Sequence, residues 1–332
     1  MVKHSFSNEL KIDMSNFKEK IRNSLERLHA YIINFVEQHL KKIFWSLCFV
    51  FFVNVALAGV ILFPTDRGSL AVHFLDIGQG DAIFLRLPNE QDILIDGGPD
   101  KTILGQLGKV MPFYDREIDL VVLTHPHADH LVGLIEVLQN YQVGKIWLTG
   151  VTHTTDEYLT LLNLIKEKNI KIETPIRGEG FDFGEVKMEV LNPAKSVAGE
   201  RVIESTEEHT GGLNDTSIVL RVTYKDNEFL FTGDITSELE KELVQAKVAL
   251  NADVLKVAHH GSKFSSSREF AEAVRPRYAV IQVGRENRYG HPAWRVLRTL
   301  EKIGATVFRN DLNGNVKIVS DGEELRVKVE KQ

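Results

Sequence analysis

The chain passes through three hydrophobic patterns in turn. In residues 1–42, Leu10, Met14, Phe17, Ile21, Leu25, Leu28, Ile32 and Phe35 recur at spacings of three and four with polar and charged residues between them. That period predicts an amphipathic helix. A stripe of this kind pairs in a coiled coil or lies on a membrane surface, so residues 10–40 are a candidate for self-association. Residues 43–63 are then apolar without a single charged side chain. At about 1.5 Å per residue such a run crosses a hydrocarbon core of roughly 30 Å. A transmembrane helix is therefore expected at 43–63. Lys41 and Lys42 abut its amino end, and cationic residues prefer the cytoplasmic side, which puts the larger part of the chain outside. Two rivals are a buried core helix and a signal peptide cleaved near Ala56-Leu57-Ala58, for which the run starts late and continues far.

After a linker at 64–69 the pattern becomes short and alternating. Strands are expected at 70–77, 82–87 and 92–96, separated by the turns Gly78-Gln79-Gly80-Asp81 and Pro88 to Gln91. Helices and strands then alternate: helix 102–111, strand 118–123, helix 131–140, strand 145–148, helix 155–168 and strand 170–173. Strand 186–191 leads into a polar loop at 194–215, which is long enough to suggest a functional role. Strands 217–224 and 229–232, helix 236–248, strand 253–258, helix 267–274, strand 278–283 and helix 293–303 follow. Strands near 305–309, 315–320 and 325–329 close the chain. Grouped strands with interspersed helices fit an α+β domain at 70–332, with two sheets covered by helices on their outer faces.

Composition narrows the chemistry. The single cysteine, Cys48, lies inside the apolar run, so no disulfide framework or thiolate metal site is available. The G-x-S-x-G pattern of a serine nucleophile is absent. Residues 1–42 hold eight Lys/Arg and five Asp/Glu, a charge of +3; the whole chain is −6, which leaves −9 on the rest. An anionic main domain argues against a tight, sequence-independent nucleic-acid binder.

Polar clusters sit at the ends of predicted strands. The densest is Thr124-His125-Pro126-His127-Ala128-Asp129-His130. Imidazole and carboxylate are the ligands of zinc and other divalent first-row metals. Gly233-Asp234, His259-His260-Gly261-Ser262 and Asn287 to Pro292, with His291, end later strands, and Asp96 ends an earlier one. The count suits two metal ions: His125 and His127 for one, Asp129 and His130 for the other, and Asp234 as a bridge. His291, or one of His259 and His260, would complete the ligand set of the second metal. Two such ions roughly 3.5–4 Å apart polarise a phosphoryl or carbonyl oxygen and acidify a shared water. Asp96 is expected to orient a ligand. Asp76 and Asp81 read as turn formers, and Lys256 as structural.

The pattern H-x-H-x-D-H followed by T-G-D resembles the metallo-β-lactamase fold superfamily. More narrowly, F-L-D-I-G-Q-G-D-A-I, L-I-D-G-G, T-H-P-H-A-D-H, N-D-T-S-I-V-L, F-L-F-T-G-D-I, L-K-V-A-H-H-G-S and G-R-E-N-R-Y-G-H-P resemble the soluble domain of the ComEC competence proteins and its stand-alone relatives. The resemblance covers about residues 70 to 320. It implies a four-layer αβ/βα sandwich, a dinuclear site of zinc or manganese, and hydrolysis, on DNA phosphodiesters in the ComEC branch. Metal ligands would be His125, His127, Asp129, His130, Asp234 and His291, with Asp129, His259 and His260 acting on the substrate. The superfamily often places a histidine before strand 217–224. Here Asn214 and Asp215 stand there, with His209 upstream, so one metal is expected to be manganese or less tightly held. ComEC proteins also carry many spans and an oligonucleotide-binding-like domain, for which this chain has no room, so a DNA-transport role is not expected. The alternatives are a metallo-hydrolase of a non-nucleic substrate (a phosphocholine-type ester, a lactone or a thioester) and a non-catalytic, membrane-held binding module.

Overall fold

The computed structural model describes residues 14–62, 68–202 and 211–331. The chain divides into two units, Met1–Thr65 and Asp66–Gln332.

The described residues of the first unit form one helix, α1 (Met14–Leu62), about 74 Å long at 1.5 Å per residue. The helix runs unbroken through residues 42 and 43, where the stripe gives way to the apolar run. Lys41 and Lys42 are good helix formers, and Lys41 reaches back one turn to Glu37 (Nζ–Oε1 3.0 Å). The striped segment and the apolar run are therefore continuous. The stripe residues Phe17, Ile21, Leu25, Leu28, Ile32 and Phe35 are exposed, and so are Trp45, Phe49 and Phe52 farther along. Among the described residues no helix is long and apolar enough to cross a membrane. The expected span is thus not found as an element of its own. Part of it lies outside the described residues: Phe63 and the side chains at 56, 58 and 60–62. Leu10, most of the 64–69 linker and His209 lie outside them as well.

The second unit is a four-layer sandwich. Its first sheet contains β1 (Leu70–Phe74), β2 (Ile83–Arg86), β3 (Asp92–Ile95), β4 (Glu117–Val122), β5 (Gln142–Trp147) and β6 (Lys171–Glu173). The second contains β7 (Gly180–Phe183), β8 (Val186–Asn192), β9 (Val219–Tyr224), β10 (Asn227–Phe231), β11 (Val254–Lys256), β12 (Tyr278–Ile281) and β13 (Thr306–Arg309). The chain then returns to the first sheet with β14 (Val316–Ser320) and β15 (Leu325–Val329), giving the orders β15-β14-β1-β2-β3-β4-β5-β6 and β13-β12-β11-β10-β9-β8-β7. Strand β7 was not foreseen; its Gly-Phe-Asp-Phe is too short to show a period. Helices α2 (Thr102–Val110), α3 (Ala128–Asn140) and α4 (Asp156–Glu167) belong to the first sheet. Helices α5 (Ser237–Gln245), α6 (Arg268–Val274) and α7 (Trp294–Lys302) belong to the second, and a single turn α8 (Asn310–Asn313) leads back.

Strand alternation builds the layers, because successive side chains point to opposite faces. Leu120 and Val122 of β4 join Phe229 and Phe231 of β10 in the core between the sheets. Their neighbour Val121 packs with Ile103, Leu131 and Leu161 of α2, α3 and α4. On the other side, Leu230 and Leu255 pack with Leu243, Phe270 and Val296 of α5, α6 and α7. There are thus three apolar layers, one between the sheets and one under each set of helices. Strands β3 to β6 run parallel, as do β10 to β13. Parallel strands carry their polar loops at shared carboxyl ends, the usual place for a site in such sheets.

Candidate metal centre

Four parallel strands deliver the candidate residues: Asp96 follows β3, the histidine cluster follows β4, Asp234 follows β10, and His260 follows β11. Strand β4 ends in buried Leu123 and Thr124, and α3 begins at once with Ala128. This sharp strand-to-helix turn is why one short stretch can aim His127 and Asp129 at one cleft with His125 buried beside them. Gly80 makes room for it. A Cβ on Gly80 would stand 2.1 Å from the backbone oxygen of Asp129, so only glycine lets the two loops meet.

Asp96 organises the cluster. It accepts hydrogen bonds from the Thr124 backbone N–H and hydroxyl, both 2.8 Å, and lies 2.8 Å from His130 Nδ1. That fixes the His130 ring and directs Nε2 to Asp234 Oδ2 at 3.3 Å. A carboxylate behind an imidazole is the usual support of a metal-binding histidine, which is the orienting role expected of Asp96. Burial pushes the Asp96 pKa up. Burial alone would lower that of His130, yet the charges of Asp234, Asp96 and Asp129 hold it well above the ordinary value.

His260 mirrors this arrangement from the other sheet. Its Nδ1 donates to the backbone oxygen of Gln282 (2.8 Å). Its Nε2 then faces Asp129 Oδ2 at 3.3 Å and Asp234 Oδ2 at 3.2 Å. His259 and His260 both adopt left-handed backbone, φ 49° and 51°. Such geometry costs on the order of 1–3 kcal/mol per residue and persists where the surroundings over-determine it. The strain turns the two rings apart. His260 enters the carboxylate cluster, while His259 faces His291, with ring centroids 5.9 Å apart.

Asp234 is central. Oδ2 lies between His130 and His260, and Oδ1 is 3.3 Å from Lys256 Nζ. Gly233 (φ 54°) lets the chain turn there, where a Cβ would stand 2.7 Å from Ser217. Burial opposes charge on Asp234, but His260, His130 and Lys256 hold its pKa well below the usual carboxylate range. His125 Nε2 lies 3.0 Å from His127 Nδ1. Burial, with the charges of His130 and His127, pushes the His125 pKa well down, so its ring is neutral. Burial likewise lowers His291 to about 4, with help from His260 and His259.

The residues fit metal ions. His125, His130 and Asp234 offer ligand atoms within 4.8 Å of one another, and so do Asp129, His130 and His260. His260 Nε2 is buried with no hydrogen-bond partner, although two carboxylates face it. Burial alone would lower the His260 pKa, yet the charges of Asp234 and Asp81 hold it well above the ordinary value; a metal ion facing Nε2 would take the place of that proton. His127, Asp129, Asp234, His259, His260 and His291 all line one cleft of about 370 Å³. His127, His259 and His291 stand around it, outside the tightest ligand groups. Asn214, at the position where the superfamily often has histidine, also lines the cleft, and its side-chain oxygen is buried without a partner.

Two residues of the centre escaped the sequence reading. Asp81 is no mere turn former. It is buried, ion-paired to Lys256 and 3.3 Å from His260 Nδ1. Lys256 is fully buried and also donates to the Gly233 backbone oxygen (2.9 Å). The available signal was a lysine inside a strand that was otherwise wholly apolar.

A cluster of histidines and carboxylates at the strand ends of an αβ/βα sandwich defines a class of metal-dependent hydrolases. The profile of the metallo-β-lactamase superfamily matches residues 75–285, and the chain belongs to that superfamily. Within it the chain is a relative of competence proteins. It is 28% identical over 277 residues to ComE operon protein 3 of Bacillus subtilis, covering 78% of this chain and 34% of that protein. It is 30% identical over 266 residues to competence protein ComA of Neisseria gonorrhoeae, with the same shares, 78% and 34%. The chain thus spans about a third of the length of these relatives. A shorter match, 30% over 87 residues, covers 23% of this chain and 10% of zinc phosphodiesterase ELAC protein 2 of Rattus norvegicus.

Proposed function

We propose that the protein is a phosphodiesterase that works with two divalent metal ions, zinc or manganese. The observation that carries this reading is that Asp234 offers a ligand atom within 4.8 Å of His125 in one group of potential ligands and of His260 in another, so that one carboxylate could serve two ions. His125 and His127 would hold one ion, and Asp129, His130 and His260 the other. Bound ions supply Lewis acidity toward a phosphoryl oxygen and acidify water. The chain's own groups do the rest. Asp96 and the Gln282 carbonyl fix the His130 and His260 rings. His259 and His291, neutral and facing the cleft, donate hydrogen bonds to non-bridging phosphoryl oxygens. Asp129, a third exposed, meets the substrate at the cleft floor. The zinc phosphodiesterase among the relatives and the ComEC-type motifs support a phosphodiester, with DNA as a candidate. The −9 charge outside residues 1–42 favours a second reading, a non-nucleic phosphoester such as a phosphocholine-type ester.

We infer further that the uncharged run at 43–63 anchors the chain in a membrane with the sandwich outside the cytoplasm, and that the stripe at 10–40 pairs with a second copy. Protease shaving of whole cells tests the orientation. The hydrolase reading is tested on the full chain by elemental analysis and by turnover of bis-p-nitrophenyl phosphate, DNA and lactones. His127→Ala and Asp234→Ala should each lose bound metal and phosphodiester turnover together. Full metal-dependent turnover in both variants contradicts the assignment.

A further inference from the structure

The cleft does not end at the metal ligands. A second trough of about 450 Å³ continues from it, sharing Asn214, His259, Tyr289 and His291. Its chemistry is different. Lys263 and Arg288 line it and are exposed. No carboxylate lines it among the described residues, in a sandwich whose overall charge is negative. Phe264 lies under Lys263, with Nζ 4.7 Å from the ring centroid. Tyr289 is 69% exposed and stacks on His291, centroids 5.6 Å apart and planes 18° from parallel. One face of its ring is backed by the imidazole and the ring lies where the two troughs join. A flat, exposed aromatic beside cations is how proteins take the bases and phosphates of a single strand.

We propose that this trough is a subsite for single-stranded oligonucleotide, with Tyr289 stacking the base next to the scissile phosphate and Arg288, with Lys263, taking the following phosphate. The proposal rests on the phosphodiesterase reading and narrows it to a substrate with at least two successive phosphates. It gives a negatively charged domain a local positive path to its cleft. A phosphocholine-type ester has neither a base to stack nor a second phosphate.

The test uses the full chain supplied with Mn²⁺ and four substrates: bis-p-nitrophenyl phosphate, a thymidine dinucleoside phosphate, a thymidine trinucleotide and an abasic trinucleotide analogue. Arg288→Ala should raise KM for the trinucleotide about ten-fold, the order of one lost contact to the strand. It should leave the dinucleoside phosphate and bis-p-nitrophenyl phosphate unchanged. Tyr289→Ala should weaken the trinucleotide by a similar factor but not the abasic analogue, and Tyr289→Phe should restore it. An Arg288→Ala loss that is equal on all substrates, or absent on the trinucleotide, overturns the proposal. Anisotropy of a fluorescent oligothymidine with metal-free protein separates the two readings. Oligothymidine binding that depends on Arg288 and Tyr289, with no turnover of any diester, keeps the subsite and rejects the phosphodiesterase. Turnover of bis-p-nitrophenyl phosphate with no binding of oligothymidine does the reverse.

Discussion

The two ends of the cleft are built on opposite principles. At the inner end Asp81, Asp96 and Asp234, with His125, His130 and His260, are buried, and most of their polar atoms face one another, with His260 Nε2 and Asp81 Oδ1 left without a hydrogen bond. At the outer end Lys263, Arg288 and Tyr289 stand exposed on loops. The inner end places charge where water is excluded, so each interaction there is strong and each lost partner is costly. The outer end works in high dielectric, where each contact contributes less than a buried one and recognition is shared among several side chains. Chemistry should therefore be lost by single substitutions inside, whereas outside only recognition should change.

The largest expected effect is at Lys256. Its ammonium is buried between Asp81 and Asp234, and Lys256→Met leaves both carboxylates without it. Breaking a buried pair by removing one partner costs about 3–5 kcal/mol, so the urea midpoint should drop sharply; a midpoint unchanged from wild type would mean the inner end is not held by charge. Next is Asp96→Ala, which frees the His130 ring. Loss of such a support costs on the order of 10–100-fold in metal affinity or activity, to be read by metal titration. An affinity equal to wild type would show that Thr124 and the fold alone orient the ring.

A smaller effect concerns the loop that carries Lys263 and Phe264. Glu240 of α5 accepts from the backbone N–H of Ser267 (2.7 Å) and from that of Ser266. Burial raises its pKa from 4.5 to about 7, partly offset by these hydrogen bonds. The folded state therefore holds a proton that the unfolded chain releases between those values. The stability it contributes is present below about pH 4.5 and is lost as pH rises through about 7. Denaturation midpoints measured from pH 5 to 8 should fall with pH in the wild type, and Glu240→Gln should flatten that slope. An unchanged slope removes Glu240 as its source.

The same contrast explains what the sequence made legible. His125, His127, Asp129 and His130 were readable because one turn holds them all, and their alternation is itself the signal. Asp234 and His260 were readable as polar residues ending apolar strands. Asp81 and Lys256 were not, because each looks ordinary in its own segment and gains meaning only from the other across the two sheets. Which of His259 and His260 enters the cluster was also hidden, since left-handed backbone at both residues leaves no mark on their neighbours. The sandwich itself followed from strand alternation. The amphipathic stripe and the apolar run lie on one helix, because a change in hydrophobicity is not a change in backbone preference. Strand β7 pairs with β8 through registers that only tertiary structure supplies.

The central claim is that the buried end of the cleft is a two-metal phosphodiesterase centre. It is tested most directly by stripping the full chain with a chelator and following bis-p-nitrophenyl phosphate hydrolysis while Mn²⁺ or Zn²⁺ is added back. Turnover should vanish on stripping and return to a plateau at two equivalents of metal per chain. Turnover that survives complete removal of metal, or metal that rebinds at two equivalents without restoring any hydrolysis, would contradict the account.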